Sequence, residues 1–393
     1  MNKKLVAVAV AGVLAAPLAA QAQTANVTLY GRLNLTMEAV KGDAVDPNLP
    51  ATASAQNRTI YRVNSNSSRL GVRGSEALGG GLSAIFQIES SIQGDSSGGT
   101  LAGRETFVGL QGAWGTFKMG YFLAPYDDIH PIFGNVPTLT TSILSTANLW
   151  AQGSQANGDG GFDSRLPNSI RYDSPRMGGF TFSAQLGAMD ASPAGTASNG
   201  GDLAQSKRHA YIGSLGGFYN NGPFQGGIAY QYNEKIRGAN LNDSALSIAA
   251  NWNFGIIKVG GVYERLDYDT PTGSLKRNFW GVSATVPIGP GELYAMYGDA
   301  GDGSGDAAGC TTGPGGVTVC PTQVGQLRKG GGTGASQWNV SYTYALSKRT
   351  LSYAGFHQVR NDSNALYNFN INSFAVIPGS NASGFVVGLV HFF

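Results

Sequence analysis

Across residues 27–38 apolar and polar positions alternate without interruption. Val27, Leu29, Gly31, Leu33, Leu35 and Met37 share one face, and Thr28, Tyr30, Arg32, Asn34, Thr36 and Glu38 share the other. A repeat of two is that of an extended strand, whose successive side chains point to opposite sides. The pattern returns along the chain: Leu82, Ala84, Phe86 and Ile88 oppose Ser83, Gln87 and Glu89, and Phe180, Phe182, Ala184 and Leu186 oppose Thr181, Ser183 and Gln185. It recurs with Trp280, Val282, Ala284 and Val286, and again with Trp338, Val340, Tyr342 and Tyr344 opposite Asn339, Ser341 and Thr343. The intervening segments alternate between two kinds. Short, turn-like ones lie at 77–81, 112–115, 176–179, 220–223, 253–255, 287–291 and 346–349. Long polar ones occupy roughly 40–57, 93–103, 121–167, 189–207, 233–243, 267–276, 300–335 and 361–383. Seven turns and eight long loops predict sixteen antiparallel strands, with turns at one end and loops at the other.

A soluble β-sandwich or β-propeller would bury the apolar row in a core and expose the polar one. Here the polar row carries arginines and tyrosines on many strands, and no second set of elements is available to cover the apolar row. Closure into an all-β, 16-stranded transmembrane barrel resolves both problems, because a barrel has no edge and satisfies every backbone N–H and C=O between strands, as lipid requires. The ending GFVVGLVHFF alternates Phe385, Val387, Leu389, His391 and Phe393. Aromatic residues recur near predicted strand ends, among them Trp114, Tyr121, Tyr219, Trp252, Trp280 and Trp338, as interfacial belts require.

Composition agrees. Of 393 residues 58 are glycine and only 13% are charged, against about 7% and about 25% in an ordinary soluble domain. Plentiful aromatic residues exclude a disordered chain. The net charge is +2, and Lys3 and Lys4 account for all of it, so no nucleic-acid footprint is present. Those lysines precede an apolar run at 5–20 and the small-x-small sequence Ala20-Gln21-Ala22, which reads as a cleaved signal peptide over 1–22 rather than a spanning anchor. The remainder, 23–393, is expected to form a single barrel domain. In an exported chain the two cysteines, Cys310 and Cys320, read as a local disulfide.

Several stretches resemble the trimeric general porins of beta-proteobacterial outer membranes: VTLYGRLN near the mature start, SRLGVRGSEALGGGLSAIFQIES at 68–90, ETFVGLQGAWGTFKMG at 105–120, NSIRYDSPRMGGF at 168–180, QWNVSYTYALSKRT at 337–350 and the final GFVVGLVHFF. The resemblance spans the mature chain with its motifs in family order. It implies a homotrimer in the outer membrane of a Gram-negative bacterium, in contact with lipids and lipopolysaccharide. It also implies passive diffusion of small hydrophilic solutes and ions, and a third loop folded into the lumen.

That third loop is 121–167, the longest connection, and it holds Phe122, Ile129, Ile132, Phe133, Leu139, Ile143, Leu144, Leu149 and Trp150. A solvated loop has no need of these residues, so they are expected to pack on the barrel interior. Arg32, Arg69, Arg73, Arg104, Lys118 and Arg171 lie on or beside the early strands, and arginine facing lipid at mid-bilayer would cost about 2–4 kcal/mol. They are expected to form a basic wall of the constriction, facing Tyr121, Asp127 and Asp128 of the loop, with a transverse field between them; the alternative is that these charges pair and hold the loop. Tyr121 stands where the family commonly has arginine, Val390 and Phe392 where it is usually basic, and Asn34 where it often has aspartate. A weak anion preference is therefore expected, and Tyr121 offers a stacking surface for an aromatic solute.

Catalytic chemistry is not legible. His130, His209, His357 and His391 are scattered, with no HExxH, GxSxG or P-loop sequence. Asp299, Asp302 and Asp306 form a glycine-rich acidic stretch whose spacing fits no EF-hand, and it reads as a solvated loop. Neither cofactor nor metal is expected, and no enzyme. The competing functions are a solute-specific channel on the same scaffold, for small organic or aromatic acids, and a barrel-scaffolded adhesin or enzyme.

Overall fold

The computed structural model describes residues 26–43, 59–139, 142–152, 161–190, 209–313, 318–374 and 376–393. The expected signal peptide over 1–22 lies outside them. The chain forms one closed antiparallel barrel of sixteen strands. They are β1 (Asn26–Gly42), β2 in two pieces (Ile60–Ser65 and Arg69–Gly79), β3 (Leu82–Ser91), β4 (Thr106–Gly112), β5 (Gly115–Leu123), β6 (Arg165–Asp173), β7 (Phe180–Asp190), β8 (His209–Asn221), β9 (Phe224–Glu234), β10 (Asn242–Asn253), β11 (Lys258–Thr270), β12 (Gly273–Ile288), β13 (Gly291–Ala300), β14 (Ala335–Ala345), β15 (Thr350–Asn361) and β16 (Ala382–Phe392). Each pairs with its sequence neighbours, and β1 closes the ring on β16 from Arg32↔Phe392 to Gly42↔Ala382.

The alternation read from sequence is the alternation of exposure. On β1, Leu33 and Met37 are exposed while Arg32, Asn34, Thr36 and Glu38 are buried; on β12, Trp280 and Val282 are exposed and Ser283 and Thr285 buried. An apolar row facing outward and a polar row facing inward are what a lipid-embedded barrel requires. Near the tight-turn end the outer face carries a run of touching rings, Phe180–Tyr219 at 4.5 Å, Tyr219–Phe224 at 5.9 Å and Phe224–Trp252 at 6.1 Å between centroids. This is the arrangement of an interfacial aromatic belt.

Two local departures from regular strands matter for the site. Strand β2 breaks at residues 66–68, where Ser67 takes a φ of 53°. Both pieces still pair with β1, and the break turns the Asn66 and Ser67 carbonyls toward the Arg32 guanidinium, which donates to both. In β5 the register shifts between Gly120 and Phe122. Gly120 has a φ of +146°, and a Cβ there would lie 2.2 Å from the Thr106 carbonyl oxygen, so only glycine fits this bulge.

One of the eight expected long loops is not a loop. Residues 267–276 continue β11 and β12 to the pair Thr270↔Gly273, leaving only Pro271 and Thr272 in the turn. Polar composition suggested a loop, but Tyr268 and Leu275 keep the inward phase and are fully buried, and the polar residues flanking them pair across the hairpin, Lys276 with Asp267 at 3.1 Å. The connection from β13 to β14 is ordered by two short hairpins, at 311–312 with 318–319 and at 323–324 with 327–328. Cys310 and Cys320 are joined by the disulfide expected from the sequence.

The segment between β5 and β6 makes side-chain contacts with the inward row of much of the wall. Ser214 on β8 accepts from the Tyr126 amide, and Asn251 on β10 donates to the Ile132 carbonyl. Ser283 on β12 and Tyr294 on β13 both donate to the Phe133 carbonyl. On β14, Asn339 donates to the Leu144 carbonyl and Gln337 to that of Thr146. Apolar residues of the segment are buried as well: Ile129, Ile143, Leu144, Leu149 and Trp150 are completely buried.

Candidate functional site

The expected basic residues divide into groups. Arg32 from β1, Arg69 from β2 and Arg104 from the β3–β4 connection line one open recess of about 370 Å³, together with Arg165 at the start of β6. Two carboxylates, Glu89 and Glu105, share it, as do Leu123 at the end of β5 and Val136 and Leu139 of the long segment. Four arginines against two glutamates leave a formal charge of +2. Glu89 is the hub. It accepts from Arg104 Nε at 2.6 Å and from the Tyr30 hydroxyl at 3.0 Å, and Arg69 Nε lies 3.5 Å away. One carboxylate thus holds two arginines in place without neutralising the set.

Lys118 and Arg171 form a second group around Asp173. Arg171 Nε donates to Asp173 at 2.8 Å and its Nη1 to the Leu123 carbonyl at 2.9 Å, and its Nη2 bonds the carboxylate of Asp128. Lys118 Nζ lies 3.6 Å from Asp173 and packs over the rings of Phe107 and Phe122. Arg73 stands apart, with its guanidinium 4.9 Å from the centre of the Tyr30 ring.

Of the expected loop residues, Asp128 meets the wall as a closed ion pair with Arg171. Asp127 turns instead toward His130 and Asp163. The carboxylates facing the arginines of the recess come from the wall side, as Glu89 and Glu105. The 3-10 turn that begins at Asp127 explains the split, because adjacent residues on such a turn diverge by about 120°. Tyr121 sits at the β5 bulge opposite Thr106 and is not among the residues lining the recess. Burial pushes the carboxyls of Asp127 and Asp163 up from the ordinary value, and the imidazole of His130 down.

Sequence reading missed two elements of this arrangement. Arg165 was hidden inside the long loop, although Arg165, Pro167, Ser169 and Arg171 have the period-two spacing of one strand face. The fully buried pair Glu264 and Arg277, 3.3 Å apart on β11 and β12, was also missed. Glu264 accepts from the Ala151 amide at 2.6 Å, and Arg277 reaches the Tyr367 hydroxyl at 3.3 Å, so the pair anchors two loops. The acidic stretch read as a solvated loop uses its carboxylates locally: Asp302 accepts from the amides of Thr333 and Gly334, both at 2.7 Å, and Asp306 from that of Ser274 at 2.6 Å.

The profile of the Gram-negative porin family matches residues 7–364. Outer membrane porin protein 32 of Delftia acidovorans is 27% identical over the full length of both chains. Among solved structures, an anion-selective porin from Comamonas acidovorans has a TM-score of 0.69 at 24% identity, covering 94% of this chain and 100% of its own. OmpT of Vibrio cholerae, solved in a trimer form, has a TM-score of 0.60 at 13% identity, covering 94% and 99%. A closed sixteen-stranded wall with an inward polar row, and a family match along most of its length, lead to one conclusion: this chain belongs to the Gram-negative porin family, and its place is the outer membrane.

Proposed function

We propose that the chain is a general diffusion porin, a water-filled channel through which small hydrophilic solutes and ions pass without a catalytic cycle, with a weak preference for anions. The observation that carries this reading is the recess in which Arg32, Arg69, Arg104 and Arg165 outnumber Glu89 and Glu105. A concentration of one sign on low-dielectric walls raises the local concentration of the opposite ion. The structural neighbour from Comamonas acidovorans is an anion-selective porin, which supports the same sign. Lys118 and Arg171 contribute less, since each is paired with a carboxylate.

In this reading residues 121–167 lie inside the barrel as the constriction, with Asp127 and Asp128 on the loop side. Hydrogen bonds with the inward rows of β8, β10, β12, β13 and β14 support that placement. Assembly as a homotrimer among outer-membrane lipids and lipopolysaccharide is supported by family membership and by the trimer form of the OmpT neighbour. The test is reconstitution of the refolded chain in planar bilayers under a potassium chloride gradient. The expected result is conductance in groups of three steps with a reversal potential on the anion side. A clear cation preference would overturn the selectivity, and absence of conductance would overturn the channel.

A further inference from the structure

In the segment between β5 and β6, a single 3-10 turn at Asp127–Ile129 runs into a short helix, α1 (His130–Phe133). The spacing of three residues brings Asp127 and His130 to one side of this turn. Asp163 arrives from the other end of the same segment, just before β6. One ligand atom from each of the three residues lies within 4.8 Å of the other two, and His130 Nε2 is 3.9 Å from Asp163 Oδ2.

His130 and Asp163 are only 3% and 4% exposed. Both ring nitrogens of His130 and Oδ2 of Asp163 are buried without a hydrogen-bond partner. A buried polar atom left unsatisfied costs about 1–3 kcal/mol, and two of them, His130 Nε2 and Asp163 Oδ2, face one another at 3.9 Å, which suits an occupant that accepts lone pairs. Asp127 and Asp163 form no ion pair with lysine or arginine among the described residues. Two carboxylates and an imidazole match the charge and donor preference of a divalent first-row ion. The Trp150 ring, centred 4.0 Å from that of His130, limits how the imidazole can turn, and Asp127, only partly buried, leaves a path to water.

We propose that Asp127, His130 and Asp163 form a binding site for a divalent transition-metal ion of the zinc class, held by one imidazole nitrogen and two carboxylate oxygens, with water completing the coordination. Zinc–nitrogen and zinc–oxygen distances of about 2.0–2.2 Å require the three atoms to draw together from their present spacing, a movement within reach of the Asp127 side chain. The ion ties the start of the segment to its end, 36 residues later, so its effect is to fix the loop rather than to catalyse.

The test uses the refolded full-length barrel, loaded with zinc and washed by gel filtration, with bound metal measured by mass spectrometry. The expected result is close to one zinc per chain, with at least a tenfold loss in His130→Gln and in Asp163→Asn and full retention in the control His391→Gln, whose ring lies on the exposed row. Cobalt in place of zinc should give visible d–d bands that both variants lose. If either buried variant fails to form a heat-modifiable barrel, Asp127→Asn, at the partly buried corner, replaces it and should lose the metal. Absence of zinc from the wild-type barrel, or equal zinc in wild type and folded variants, overturns the proposal.

Discussion

At the scale of single residues, charge counting predicts opposite effects from neighbouring substitutions. Glu89→Gln removes one of two carboxylates from the recess and raises its formal charge from +2 to +3, whereas Arg69→Gln lowers it to +1. Reversal potentials in a salt gradient should therefore move toward the anion side for Glu89→Gln and away from it for Arg69→Gln. Movement in the same direction would mean that shape rather than field sets selectivity. The buried pair behaves differently. Arg277→Met leaves Glu264 without its cation in a fully buried position, and loss of one partner of such a pair costs about 3–5 kcal/mol. Urea denaturation of the refolded barrel should show this loss, and the double variant Glu264→Gln, Arg277→Met should recover much of it, since the uncompensated charge is then gone. Neither Glu264 nor Arg277 stood out in the sequence, because a lumen-facing charge and a paired, buried charge occupy the same phase of a strand. Only the packing of Ala151 and Tyr367 onto them distinguishes the two.

At the scale of elements, period-two alternation made nearly every strand legible, because lipid outside and polar groups inside impose it over the full height of the wall. It failed where composition was used in place of phase. Residues 267–276 look like a loop by their polar content, yet Tyr268 and Leu275 hold the inward phase to the tip of the hairpin. The long segment was legible in its apolar content but not in its partners, since Asp127 and Asp163 meet only through its return path. Its anchors can be weakened separately. Gln337 and Asn339 donate to the Thr146 and Leu144 carbonyls from alternate positions of β14, and each such hydrogen bond contributes about 1 kcal/mol. The double variant Gln337→Ala, Asn339→Ala should leave the barrel folded and heat-modifiable but loosen the loop. The readout is increased open-channel noise and more frequent partial closures in single-channel records; records as quiet as the wild type would show that these contacts do not hold the segment in place.

For the whole molecule, net charge is a poor guide to selectivity. Formal charges of 26 basic and 24 acidic residues nearly cancel, and without Lys3 and Lys4 they cancel fully. Any preference must then come from placement, from four arginines and two glutamates around one recess, while other charges among the described residues, such as Arg62 with Glu38, Arg237 with Asp243 and Lys276 with Asp267, are paired. A field of local origin is screened over a Debye length of about 10 Å at 0.1 M salt and about 3 Å at 1 M. Reversal potentials measured at a fixed concentration ratio should thus be largest when the mean salt concentration is near 0.1 M and should shrink toward zero near 1 M. Neutralising Arg32, Arg69, Arg104 and Arg165 together should flatten this dependence, with little change in conductance at high salt, where the pore's width governs the current. A wild-type reversal potential independent of salt concentration would place selectivity in steric fit instead. The same screening argument limits what anion preference can do for uncharged solutes, whose flux should be indifferent to ionic strength and to all four substitutions.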